Sequence, residues 1–135
     1  MACVLALVPD LLFGSRVQAA LTGAGHEVEL LTDESQLREL LADAIAAGQA
    51  GARDLPGRPP AALVVDLTND DLDGPGLVES LSGEGSLSQT CTLGFYAHVD
   101  VTVRERAERA GFDQVVPRSR MAREGPQLLE RLIAG

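Results

Sequence analysis

There is no lysine in this chain. All eleven basic residues are arginines, so a lysine Schiff base and a lysine phosphate clamp are both excluded. Positive charge is scarce as well: twenty acids leave a net charge of -9. Direct binding to nucleic acid or to an anionic membrane needs clustered positive charge, and the composition argues against both. Long hydrophobic runs are missing. The apolar stretch at the N-terminus ends at Val8 and follows no basic region, so it reads as a first core strand and not as a leader or a spanning helix. A soluble cytoplasmic protein is expected. The two cysteines, Cys3 and Cys91, fit no zinc or redox spacing and are expected as buried core thiols. Only four aromatic residues are present, Tyr96 and three phenylalanines, which leaves few rings to stack on a flavin. No glycine-rich phosphate fingerprint follows the first strand.

What remains is an apolar share of 45% in 135 residues, enough for one domain with a sizeable core. Apolar runs at 3–8, 61–65, 90–96 and 114–117 read as strands, and 26–31, with partial alternation, reads as a partly exposed edge strand. Helical spacing is expected over 12–21, with Val17, Ala20 and Leu21 on one face. It recurs from Asp33, where Gln36 gives capping-box spacing, to about residue 50. A short helix is expected at 76–81, and another at 101–110 with Asp100 as its cap and Gly111 as its end. The last is centred on 127–133, with Gly125-Pro126 marking either its start or a break in a helix running from Met121. Residues 51–60 and 82–89 read as loops. Strand and helix alternate five times, which requires parallel pairing through right-handed crossovers. The expectation is a doubly wound (βα)5, flavodoxin-like, three-layer α/β sandwich around a central five-stranded parallel sheet, one domain over 1–135.

Open parallel sheets gather their chemistry at the C-terminal ends of the strands. Asp66 closes the buried run Ala61-Ala62-Leu63-Val64-Val65 and stands at such an end. Asp10, Tyr96 with Ala97 and His98, and Arg118 are expected beside it. The acids Asp70, Asp71 and Asp73 read as a solvated turn, because the run lacks the glycine and terminal glutamate of a calcium loop.

Here the chain resembles the receiver domain of two-component response regulators. The likeness lies in Leu63-Val64-Val65-Asp66 with a downstream Asp73-Gly74, in Gly94-Phe95-Tyr96-Ala97, and in Ala110-Gly111-Phe112-Asp113 before the fifth strand. The resemblance implies that Asp66 is equivalent to a phospho-accepting aspartate and that Asp10 and Asp66 would hold Mg²⁺. It also implies an interaction surface around the fourth strand, the fourth helix and the last helix, with Arg104, Arg109 and Val115 as its expected residues. The departures from the pattern bear on function. Pro9 replaces one of two adjacent metal-binding acids, Tyr96 stands where a threonine or serine is usual, and Arg118 replaces a lysine.

Phosphoryl transfer to a carboxylate rests on positioning and on charge neutralisation by a metal, so a missing acid weakens it. Arg118 can bind an acyl phosphate, or it can pair permanently with Asp66 or Asp10; the expectation is that it neutralises Asp66 in the resting protein. Asp66 can also be held by loop amides. Tyr96 can plug the pocket or face a partner. The expected function is therefore that of an atypical pseudo-receiver, not an enzyme. It would act through a protein partner or self-association, with no direct contact to nucleic acid or membrane, and with Mg²⁺ weak or absent. Two other readings of the same residues are open: a conventional single-domain response regulator phosphorylated on Asp66 with Mg²⁺, and a flavodoxin-like small-molecule binder or enzyme.

Overall fold

A computed structural model describes residues 3–49, 60–69, 72–85, 87, 90–97 and 100–134, with the side chains of 43–49 outside the description. Strands and helices alternate: β1 (Cys3–Leu7), α1 (Leu11–Gly23), β2 (Glu27–Leu31), α2 (Glu34–Gln49), β3 (Ala62–Asp66), α3 (Gly74–Gly83), β4 (Cys91–Tyr96), α4 (Val101–Ala110), β5 (Gln114–Pro117) and α5 (Arg118–Ala134). All strand pairs are parallel and make one sheet in the order β2-β1-β3-β4-β5. The winding reverses between β1 and β3. A doubly wound sheet opens its crevice at that point, above the C-terminal strand ends.

Side-chain alternation divides the core into two clusters. Leu5, Leu7, Leu63 and Val65 pack with Leu37 and Leu41 of α2, Leu77, Val78 and Leu81 of α3, and Ala107 and Ala110 of α4. Val4, Ala6, Ala62 and Val64 pack on the other face with Phe13, Val17 and Leu21 of α1 and Met121, Leu128 and Leu129 of α5. The central strands β1 and β3 are covered on both faces, so their sequences are nearly unbroken apolar runs. Each fully buried valine or leucine there contributes about 1.5–3 kcal/mol relative to exposure. Strand β2 is the edge expected from its pattern: Glu27 and Glu29 are exposed, and Val28 and Leu30 are half-buried. Gly94 in β4 is a close-approach site. A Cβ there would lie 2.8 Å from Leu67 Cδ1 and 3.0 Å from Phe112 Cε2.

Local signals set the helix starts. The Asp10 carboxylate accepts from the Leu12 and Phe13 amides, and Asp100 accepts from Val103 as expected. Asp33 accepts from the Gln36 amide at 2.9 Å, while the Gln36 side chain reaches back to the Thr32 amide, also at 2.9 Å. Gly111 ends α4 with φ of 106°, a conformation that favours glycine.

Three expectations are corrected. The buried face of α1 is Phe13, Gly14, Val17 and Leu21, while Ala20 is exposed. Helix α5 neither starts nor breaks at Gly125-Pro126; it runs continuously from Arg118 to Ala134 with Pro126 inside. Proline removes one helical hydrogen bond, but Met121 on one side of it and Leu128 and Leu129 on the other are all buried, and that shared packing spans the defect. The cysteines are not core thiols: Cys3 is exposed and Cys91 half-buried. Both open their strands at the sheet end, where cover is thinner. The loop expected at 51–60 lies outside the described residues except for Pro60, which is buried.

Candidate functional site

Strand registers bring the C-terminal ends together: Leu7 lies beside Val65, Asp66 beside Phe95, and Tyr96 beside Pro117. Asp66 is the last residue of β3 and is 1% exposed. Alternation from Val64 directs it to the α1–α5 side of the sheet. Its Oδ1 accepts two short hydrogen bonds, from the Thr68 amide at 2.7 Å and from the Thr68 hydroxyl at 2.6 Å. This is the turn an aspartate makes with the residue two places on. Of the two holding arrangements expected for Asp66, the loop amide is present and the Arg118 pair is not.

Arg118 instead pairs with Asp10, with Nη2 to Oδ2 at 3.2 Å. The other oxygen of Asp10 caps α1. The guanidinium also stacks on Phe13, 4.2 Å from the ring centroid, and Phe13 meets Phe95 with centroids 5.0 Å apart. Asp10, Arg118, Phe13 and Phe95 therefore form a continuous bridge from the start of α5, across α1, to the strand beside Asp66. Its polar part lies at the surface, with the Arg118 and Asp10 side chains 44% and 43% exposed. At that exposure the ion pair contributes about 0–1 kcal/mol, and the ring contact about 0.5–1 kcal/mol.

Tyr96 follows Phe95 and faces the opposite side. It is 6% exposed and belongs to the cluster containing Ala107, Ala110 and Phe112. It plugs the α4 side, away from the Asp10–Arg118 pair. Ala97, next in the chain, is exposed. Beyond Tyr96, Arg104 donates to Glu108 at 3.0 Å. That hydrogen-bonded carboxylate, with Tyr96 adding to it, raises the guanidinium further above its usual range. Arg109 is exposed, and Val115 is half-buried against the same cluster. An open cleft of about 300 Å³ lies between the β3–α3 turn and α4, lined by Leu67, Asn69, Asp73, Pro75, Val103 and Arg106. The Arg106–Asp73 pair at 3.2 Å belongs to its wall. His98, Asp70 and Asp71 lie outside the described residues.

Sequence reasoning placed Asp10 at the site without its cap role, and it missed two participants, Thr68 and Phe13. The cap role of Asp10 was legible in its place immediately before a helix, and that of Thr68 in its spacing from Asp66. Nothing in the sequence marks Phe13 as the ring under Arg118. Also unforeseen are Leu11 and Leu12, 62% and 83% exposed in the first turn of α1.

The cysteines offer little nucleophilic chemistry. The Cys3 thiol is pushed above its usual pKa by partial burial, then by Glu27 and Glu29, and Cys91 is pushed up by burial and Asp113. A raised pKa leaves less thiolate at neutral pH. Iodoacetamide should therefore alkylate Cys3 more slowly than a free peptide thiol, and faster in Glu27→Gln, as followed by mass spectrometry. Equal rates in the two proteins would remove the role of Glu27.

No protein-family model matches the sequence, and no curated protein matches it. Solved structures do match in three dimensions. FixJ-N superposes with a TM-score of 0.76 at 19% identity, covering 99% of this chain and 94% of the other. The receiver domain of the sensor histidine kinase PA1611 from Pseudomonas aeruginosa PAO1, described with a magnesium ion coordinated in its active-site cleft, gives 0.71 at 19% identity over 99% and 98% of the chains. The phosphorylated cyanobacterial phytochrome response regulator RcpA gives 0.72 at 12% identity over 98% and 94%. At these identities the likeness is one of architecture, and it spans nearly the whole chain: the protein folds as the receiver domains of response regulators do.

Proposed function

We propose that this chain is an atypical receiver-like signalling domain that works through contact with a protein partner or a second copy, with degenerate or absent phosphorylation of Asp66. The observation that carries this reading is how the two strand-end acids are engaged. Both oxygens of Asp10 are bound within the protein, one by the α1 amides and one by Arg118, and Oδ1 of Asp66 is held by Thr68. Phosphoryl transfer needs such acids free to gather a metal and an incoming phosphoryl group. In this reading magnesium binding at Asp10 and Asp66 is weak or absent, the chain is not an enzyme, and it acts in the cytoplasm without touching nucleic acid directly. Among the described residues no helix is long and apolar enough to cross a membrane. Contact would use Arg104 and Arg109 of α4 with Val115 beside them, and the exposed Leu11 and Leu12 widen the available surface.

Incubation with acetyl phosphate and Mg²⁺, followed by intact-mass measurement, should leave the protein without a phosphoryl adduct. Proteins captured from the native host's lysate should be the same with and without the phosphodonor. A labile adduct that disappears in Asp66→Asn and changes the captured set would replace this reading with the conventional receiver.

A further inference from the structure

Magnesium prefers octahedral oxygen ligation, sheds water reluctantly, and is commonly held by one or two carboxylates that leave room for its waters. The strand-end residues do not fit it. Asp10 Oδ1 accepts from the Leu12 amide at 3.0 Å and the Phe13 amide at 3.3 Å, and Oδ2 accepts from Arg118 at 3.2 Å. Pro9, the preceding residue, offers no carboxylate. Asp66 Oδ1 is occupied by two donors from Thr68. Among the described residues there is no group of three or more His, Cys, Asp or Glu placed to hold a metal.

We infer that Arg118 is the resident cation of this site: its guanidinium neutralises Asp10 and excludes a divalent ion. The geometry suits arginine in particular. A planar guanidinium can donate in its plane to Asp10 while its face lies on Phe13, 4.2 Å from the centroid, two demands a lysine ammonium does not meet together. Phe13 is itself buried and backed by Phe95, so the platform is fixed. The charge is thereby built into the first residue of α5 and joins that helix to the cap of α1. On this account the junction of α1 and α5 has the same charge balance whether or not magnesium is present. The inference rests on the receiver-like reading of the strand ends, and it is separable from it, since it concerns metal binding and not phosphorylation or partner choice.

The test is a magnesium titration of the full chain followed by amide NMR. In the wild type, the amides around Asp10 and Asp66 should not approach saturation in the low-millimolar range. Arg118→Gln and Arg118→Met remove the charge from a half-exposed position, and thermal melts will establish that each is folded. Either neutral variant should bind magnesium about tenfold more tightly or better, the scale expected from relieving charge repulsion at this distance. The double variant Asp10→Asn, Arg118→Gln should lose that gain. Submillimolar binding by the wild type, or no gain in either neutral variant, would overturn the inference. So would a gain that survives Asp10→Asn.

Discussion

Tyr96→Thr should lower the free energy of unfolding by about 2–4 kcal/mol, the range for removing a large buried side chain where the surroundings collapse only in part. Tyr96 is 6% exposed and lies in the buried cluster that also holds Ala107, Ala110 and Phe112. Gly94, two residues before it, is already filled by Leu67 and Phe112, so neighbours on the strand have little room to move inward. Tyr96→Phe should cost less than about 1 kcal/mol, because it keeps the ring and loses only the hydroxyl facing Arg104. Urea unfolding of both variants measures this directly. An unchanged midpoint for Tyr96→Thr would mean that the ring is not part of the core. The same variant also bears on function. The resemblance to receivers puts a short hydroxyl at this position, but alternation sends the Tyr96 side chain to the α4 face. Restoring a threonine therefore opens a cavity under α4 and should give Asp66 no new reactivity towards acetyl phosphate.

The sheet was legible because its information is local and redundant. Buried strands appear as apolar runs, β2 betrays its edge by alternating Glu27 and Glu29 with apolar residues, and α4 is bracketed by Asp100 and Gly111. The continuity of α5 was not legible, since the penalty at Pro126 is local while its compensation, Met121 with Leu128 and Leu129 on α1 and the sheet, is tertiary. The exposure of Cys3 was hidden for a similar reason: a residue at the first position of a strand looks like the rest of the run, but the helices do not cover it.

The gathering of Asp10, Asp66 and Arg118 at one edge followed from parallel winding alone. Which acid Arg118 meets did not follow from the sequence. Arg118 opens α5, α5 packs on α1, and Asp10 caps α1, so the two charges share a surface. Asp66 sits two strands away from β5 and below that surface, at 1% exposure. Convergence on an edge is set by topology, whereas pairing within it is set by depth.

That difference in depth gives the second large expected effect. Asp66→Ala should destabilise the fold by about 1–3 kcal/mol, because it leaves the part-buried Thr68 amide and hydroxyl without their acceptor. Some of the loss is offset by no longer burying a carboxylate. Asp66→Asn keeps an acceptor at the same place and should cost less than half as much. Arg118 does not pair with Asp66, so the double variant Asp66→Ala, Arg118→Ala should show additive losses within about 0.5 kcal/mol. Asp10 and Arg118 are in direct contact, and their cycle should show a coupling of about 0.3–1 kcal/mol that fades as salt is added. Chemical denaturation of the seven proteins, wild type included, separates these terms. Strong coupling between Asp66 and Arg118 with none between Asp10 and Arg118 would mean that the guanidinium reaches inward to the strand end, and the separation of the buried acid from the surface pair would have to be abandoned.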